Sequence, residues 1–167
     1  AGCIRLILGM ETASPGLLRR VNKGICVSEL EKALKLLSKY GIWSGVEVIC
    51  GLPHETEEDI NATIDFLLNN KNDIDMVYAA VFDLREGSLM YEYPWDYLIE
   101  HIRELNLYRE EGSNASNITN FVKFGFDEIN GLRWPDKQKQ MRHSYERVQR
   151  ETHTLRYPNS FLGEHLL

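Results

Sequence analysis

The stretch "IWSGVEVICGLPHET", residues 42–56, decides how the rest of the chain is read. Ile42, Val46, Val48 and Ile49 make it β-rich, and Gly51 with Pro53 ends the strand abruptly. Thr56, with Asp59 three residues on, then caps a helix whose stripe is Ile60, Ile64, Leu67 and Leu68. One such strand–turn–helix unit is uninformative alone, but the chain repeats it on both sides.

Upstream, Cys3–Leu8 is a near-continuous apolar run, as expected of a strand buried on both faces. After the loop "GMETASPGLLRRVNKG", residues 9–24, comes a helix. Ser28 and Glu31 predict its capping box, Leu30, Ala33, Leu34 and Leu37 its buried face, and Gly41 its left-handed stop. Downstream, "MVYAAVFDL", residues 76–84, reads as a third strand. The order β-α-β-α-β predicts parallel strands with right-handed helical crossovers. The fold class is α/β, and both barrel-like and doubly wound architectures satisfy it. Either one gathers ligands at the carboxyl ends of its strands, where Glu11, Gly51 to Glu55 and Asp83 to Arg85 stand.

Beyond Arg85 the pattern weakens. Leu98, Ile102 and Leu105 fit a helix face, and "GSNASN", residues 112–117, reads as a polar linker. "ITNFVKFGFDEING" leaves strand and loop both open. "PDKQKQMRHSYERVQRETHTL" is a helix, with Pro135 in its first turn and Met141, Tyr145 and Val148 at helical spacing. Trp43, Trp95 and Trp134 read as packing residues. Ala1 lies just before the first strand, so the chain is expected to begin inside a larger fold.

A net charge of −6 argues against a broad nucleic-acid footprint. No apolar run reaches the roughly 18–20 residues of a membrane span. Cys3, Cys26 and Cys50 are odd in number and widely spaced, which predicts reduced thiols in a cytoplasmic chain and no disulfide framework. The histidines lack metal-ligand spacing. Glu47 stands inside an apolar strand, where an unpartnered carboxylate is costly. It either faces a polar barrel mouth or pairs with a base such as Arg5.

"GMETAS…NKG" followed by "VICGLPHET" resembles the radical S-adenosylmethionine (radical SAM) enzymes. The resemblance is strongest to the branch with methylthiotransferases, oxygen-independent coproporphyrinogen oxidase and cobalamin-binding members. It covers Gly2 to about Asp83 and extends weakly into "FDLREGSLMYEYP". It implies the C-terminal half of a partial (β/α)6 TIM-like barrel: residues 1–90 would be its last three β/α units, and 91–167 a mixed, largely helical extension. It also implies roles. Glu11 would contact the ribose of SAM, Lys23 its methionyl carboxylate, and Glu47 the ribose again. Gly51 would pass the adenine by its backbone, and the strand around Val81 would edge the adenine ring.

The family's C-x-x-x-C-x-x-C loop has no counterpart among these residues, so SAM and a 4Fe–4S cluster are expected of the intact protein, with the cluster held outside this chain. Cobalamin is a further cofactor known in that branch. The expected partners are the missing N-terminal half of the barrel and an unspecified substrate, with no membrane and no nucleic acid indicated. Such a fragment should form part of a SAM-binding wall without turning over alone. The alternative is a non-catalytic α/β interaction or scaffold domain. A phosphate-handling barrel ranks last, because no Gly-rich anion loop opens a helix.

Overall fold

The computed structural model describes residues 2–105 and 122–155. Three parallel strands, β1 (Arg5–Glu11), β2 (Trp43–Cys50) and β3 (Met76–Val81), form a sheet in the order β1-β2-β3. The register places Gly9 opposite Glu47, and Glu47 opposite Tyr78. α2 (Val27–Lys39) and α3 (Glu57–Asn69) are the crossovers, as the sequence pattern predicts.

Their ends follow local chemistry. At α3, Thr56 Oγ1 accepts from the Asp59 amide at 3.3 Å and Asp59 returns the favour to the Thr56 amide at 2.9 Å. At the end of α2, Gly41 takes φ 64°, and the amides of Gly41 and Ile42 reach the carbonyls of Ser38 (3.1 Å) and Leu37 (2.9 Å). The start of α2 differs from expectation. Its cap is Cys26, not Ser28, because Glu29 rather than Glu31 reaches back to the Cys26 amide at 3.2 Å. Starting two residues earlier, the helix includes Val27, which packs on the core. A short helix, α1 (Pro15–Arg20), also stands inside the loop after β1, capped by Ser14 with Pro15 in its first turn.

One face of the sheet is covered. Val46, Val48 and Cys50 of β2 pack on Leu30 and Leu34 of α2, on Ile60, Ile64 and Leu67 of α3, and on Val148 of a C-terminal helix, α5 (Asp136–Glu151). Among the described residues the opposite face is open, and this corrects the expectation from the apolar run: Ile7 of β1 is 42% exposed and Glu47 of β2 is exposed.

The second layer also departs from the pattern. Residues 98–105 are not a helix face. Ile99–Glu104 is a strand, β4, antiparallel to β5 (Phe124–Glu128), with a register irregularity between Glu100 and Arg103. A short helix, α4 (Leu89–Glu92), and a 3-10 turn (Pro94–Tyr97) lead into β4. This hairpin shares a second core with the parallel sheet: Leu52, Phe82 and Leu84 pack with Ile99, Phe124, Phe126 and Met141. Trp43 and Trp134 pack against neighbours, whereas Trp95 is 67% exposed. The expected linker at 112–117 lies outside the described residues. Among the described residues no helix is long and apolar enough to cross a membrane.

Candidate functional site

At the carboxyl end of the sheet, β1 finishes on Glu11 at φ 65°, with the β1–β2 register shifting between Gly9 and Glu11. A left-handed glutamate at a strand end is strained, and such strain gathers where a side chain must be aimed. The loop behind it is fixed. Thr63 Oγ1 accepts from the Ala13 amide at 3.0 Å and lies 3.1 Å from Thr12 Oγ1, which accepts from the Ser14 amide at 3.1 Å. Ser14 Oγ also donates to Asp59.

α1 then delivers Lys23. Its Nζ lies 2.6 Å from Glu11 Oε1, and the two side chains keep 33% and 16% of their surface. Both lie over Gly9. A Cβ built there would stand 3.0 Å from Glu11 Oε1 and 3.2 Å from Lys23 Nζ. Because Gly9 faces Glu47 across the ladder, the Glu11–Lys23 pair and Glu47 share the open face of the sheet. Three of the sequence-predicted site residues are thus brought together.

Glu47 is exposed, which relieves the desolvation that an apolar strand would impose. It does not pair with Arg5. The Arg5 guanidinium donates to Tyr78 Oη at 2.9 Å and lies 4.4 Å from the centre of the Trp43 ring. The Tyr78 ring lies across Gly45, where a Cβ would come within 2.9 Å of Tyr78 Cε2. The open face therefore runs from an aromatic–guanidinium floor near the amino ends of the strands to a charged rim at their carboxyl ends.

Gly51 and Val81 sit apart from this group. Gly51 is buried at φ 85°, and a Cβ there would fall 2.3 Å from Met141 Cγ of α5. Helix packing and backbone conformation already demand glycine. Val81 packs on the second core, while its neighbour Ala80 is exposed, in register with Ile49.

A buried polar network behind the rim was not legible as a site in the sequence. Lys137 of α5 is 0% exposed. Its Nζ meets three acceptors: Glu128 Oε1 at 2.8 Å, the Leu52 carbonyl at 2.8 Å and Gln140 Oε1 at 2.9 Å. Glu128 accepts in addition from the amides of His54 (2.7 Å) and Leu132 (3.0 Å). Glu55 Oε2 accepts from the Gly51 amide and from Gln140 Nε2, both at 2.9 Å. Burial pushes the Glu55 carboxyl above its usual range and the Lys137 ammonium below its own. Burial works the same way on Glu128, but the Lys137 charge and the donated hydrogen bonds outweigh it and hold that carboxyl low. Burial likewise raises the Cys50 thiol, with the Glu55 charge adding to it. The missed signal is positional: the stripe Met141, Ser144, Val148 extends back four residues to Lys137.

The Asp127 group lies nearer the surface, with its arginines Arg103 and Arg133 40% and 56% exposed. Asp127 of β5 is held well below the usual carboxylate range, first by the hydrogen bond from Arg103 and further by the Trp134 amide and His101, against a smaller opposing effect of burial. Cys3, before β1, and Cys26, at the cap of α2, are exposed, and Cys50, at the end of β2, is buried. Among the described residues no set of three or more His, Cys, Asp or Glu side chains is placed to hold a metal ion. These residues do not fit an iron–sulfur cluster.

Comparison with known proteins places part of the chain beside one family. Residues 1–67 match the family model described as the Radical SAM superfamily, the family that the sequence resembles. An uncharacterised methyltransferase of Pyrococcus horikoshii is 35% identical over 92 residues, which is 55% of this chain and 20% of the relative. Two tRNA-2-methylthio-N(6)-dimethylallyladenosine synthases are similar as well. That of Chlorobium luteolum is 29% identical over 89 residues (52% of this chain) and that of Treponema denticola 26% over 94 (55%), each match covering 20% of the relative. The chain thus spans about a fifth of the length of the curated relatives it matches.

Proposed function

We propose that this chain is the C-terminal part of a radical SAM core, its last three β/α units, and that its open sheet face is one wall of a SAM pocket. The observation that carries this reading is the Glu11–Lys23 pair seated over Gly9 on the same face as Glu47. Its donor set suits the ligand. An ammonium complements the methionyl carboxylate, and two carboxylates accept from vicinal ribose hydroxyls. Glycine at 9 leaves room for the backbone and these side chains to approach one molecule. Ala80 and the β3 end beside Val81 offer an apolar edge for the adenine, and Gly51 contributes through the turn it starts rather than through exposed surface.

In the intact protein the reducing chemistry comes from the family's 4Fe–4S cluster, held outside these residues. What this chain does is bind and orient. Lys23 leaves Glu11 for the ligand carboxylate, and Glu11 is freed to accept from the ribose. The outer edges of β1 and β3, unpaired among the described residues, and exposed Ile7 supply the surface on which the rest of the barrel would close.

Calorimetric titration of the chain with S-adenosylhomocysteine tests the pocket. Binding that weakens about tenfold in Glu11→Gln is expected from the loss of charge-assisted hydrogen bonds. Saturating ligand with no heat and no shift in melting temperature would leave the scaffold reading in its place. Anaerobic iron–sulfur reconstitution is expected to give no SAM cleavage from these residues alone; any deoxyadenosine formed would refute that.

A further inference from the structure

The turn from Gly51 to His54 has no helix or strand hydrogen bonds of its own, yet side chains of α5, of β5 and of the adjoining Glu55 hold it. Glu55 takes the Gly51 amide, Lys137 takes the Leu52 carbonyl, and Glu128 takes the His54 amide. Gln140 ties the acids and the lysine into one unit by donating to Glu55 and accepting from Lys137. On its other side the turn meets α1. Arg20 Nη1 donates to the carbonyls of His54 (3.2 Å) and Pro53 (3.4 Å). Arg20 stands three residues before Lys23, and Leu17 of α1 shares a core with Leu52 and Met141. A continuous path therefore runs from α5 and β5 through the turn and α1 to the charged rim.

The geometry points to Lys137, Gln140 and Glu128 as positioning residues: the C-terminal helix and hairpin brace the Gly51–His54 turn, and through Arg20 they set the place of Lys23. This rests on the ligand reading given above and extends it to residues more than a hundred positions from Lys23, in a part of the chain beyond the family match. A buried ammonium with three acceptors and carboxylates with several donors each form a network with one low-energy arrangement. Such a network holds neighbouring backbone more narrowly than apolar contacts do, which is how supporting side chains tune a site they never touch.

The test uses the whole chain and two variants, Gln140→Leu and Lys137→Met, the first retaining the Lys137–Glu128 pair in case the second fails to fold. Amide hydrogen exchange is followed at Gly51 and His54 and, as internal reference, at Val46 and Val48 of β2. S-adenosylhomocysteine affinity is measured on the same samples. In Gln140→Leu, exchange at Gly51 and His54 should rise about tenfold while Val46 and Val48 stay within about twofold, and the ligand should bind about fivefold more weakly. Equal acceleration at all four amides, or none, overturns the proposal. So does selective loosening of the turn with unchanged affinity. If the unaltered chain binds no S-adenosylhomocysteine, the ligand reading fails, and the amide comparison still decides whether the network braces the turn.

Discussion

Two acid–lysine constellations stand at the carboxyl end of this sheet, and they are built in opposite ways. At the rim, Lys23 meets Glu11 at 2.6 Å, both side chains partly open to water above a glycine. Behind it, Lys137 meets Glu128 at 2.8 Å with no solvent and every donor engaged. An ion pair in water is worth little and exchanges partners cheaply. A buried one is costly to break because each partner would be left as an uncompensated charge. The first arrangement suits ligand exchange, the second suits holding backbone in place.

The largest expected effect lies in the buried group. Lys137→Met should cost about 3–5 kcal/mol in urea unfolding, because Glu128 and Glu55 lose their buried cation. A loss under about 1 kcal/mol would mean the interior relaxes around them. Next is Gly51→Ala. The added methyl meets Met141 and the φ of 85° is strained, so roughly 2–4 kcal/mol should be lost. Truncating Met141 should restore only part of it, since the Met141 Cα is itself among the close atoms.

Two pH dependences sharpen the contrast. Glu55 has a raised carboxyl pKa in the folded state, so its contribution is fully present below the unfolded value and is lost as pH rises through the folded one. Stability of the natural chain relative to Glu55→Gln should therefore fall as pH climbs above about 4.5, the ordinary value for that group. Asp127 runs the other way. Its pKa is lowered, so its contribution is present above the unfolded value and is lost as pH falls. Asp127→Asn should flatten the acid limb of the stability profile below about pH 3.8. Parallel profiles for either variant would contradict the assignment. The smallest effect on stability is at the rim: Lys23→Met should change it by less than about 1 kcal/mol.

The same contrast explains what was legible in the sequence. Local chemistry wrote the strand–helix alternation, the Thr56 cap and the Gly41 stop, because each involves residues within a few positions. Glu11 and Lys23 are twelve apart, and the resemblance links them only as two contacts of one ligand, not with each other. Lys137 and Leu52 are eighty-five apart, and in so polar a helix a lysine reads as solvated. The strand at 99–104 was hidden by its own irregularity. Leu98 and His101 take positive φ, which breaks the alternation that marks a strand. The exposure of Glu47 depends on a sheet face that nothing among the described residues covers, a property of assembly rather than of local sequence.

The account stands or falls on what Lys23 recognises, which a pair of titrations on the chain and on Lys23→Met measures directly. S-adenosylhomocysteine carries the carboxylate; 5′-methylthioadenosine keeps the nucleoside and lacks it. Lys23→Met should weaken the first about tenfold and leave the second within about twofold. Equal loss for both ligands, or an unaltered affinity for the carboxylate-bearing one, would contradict the account.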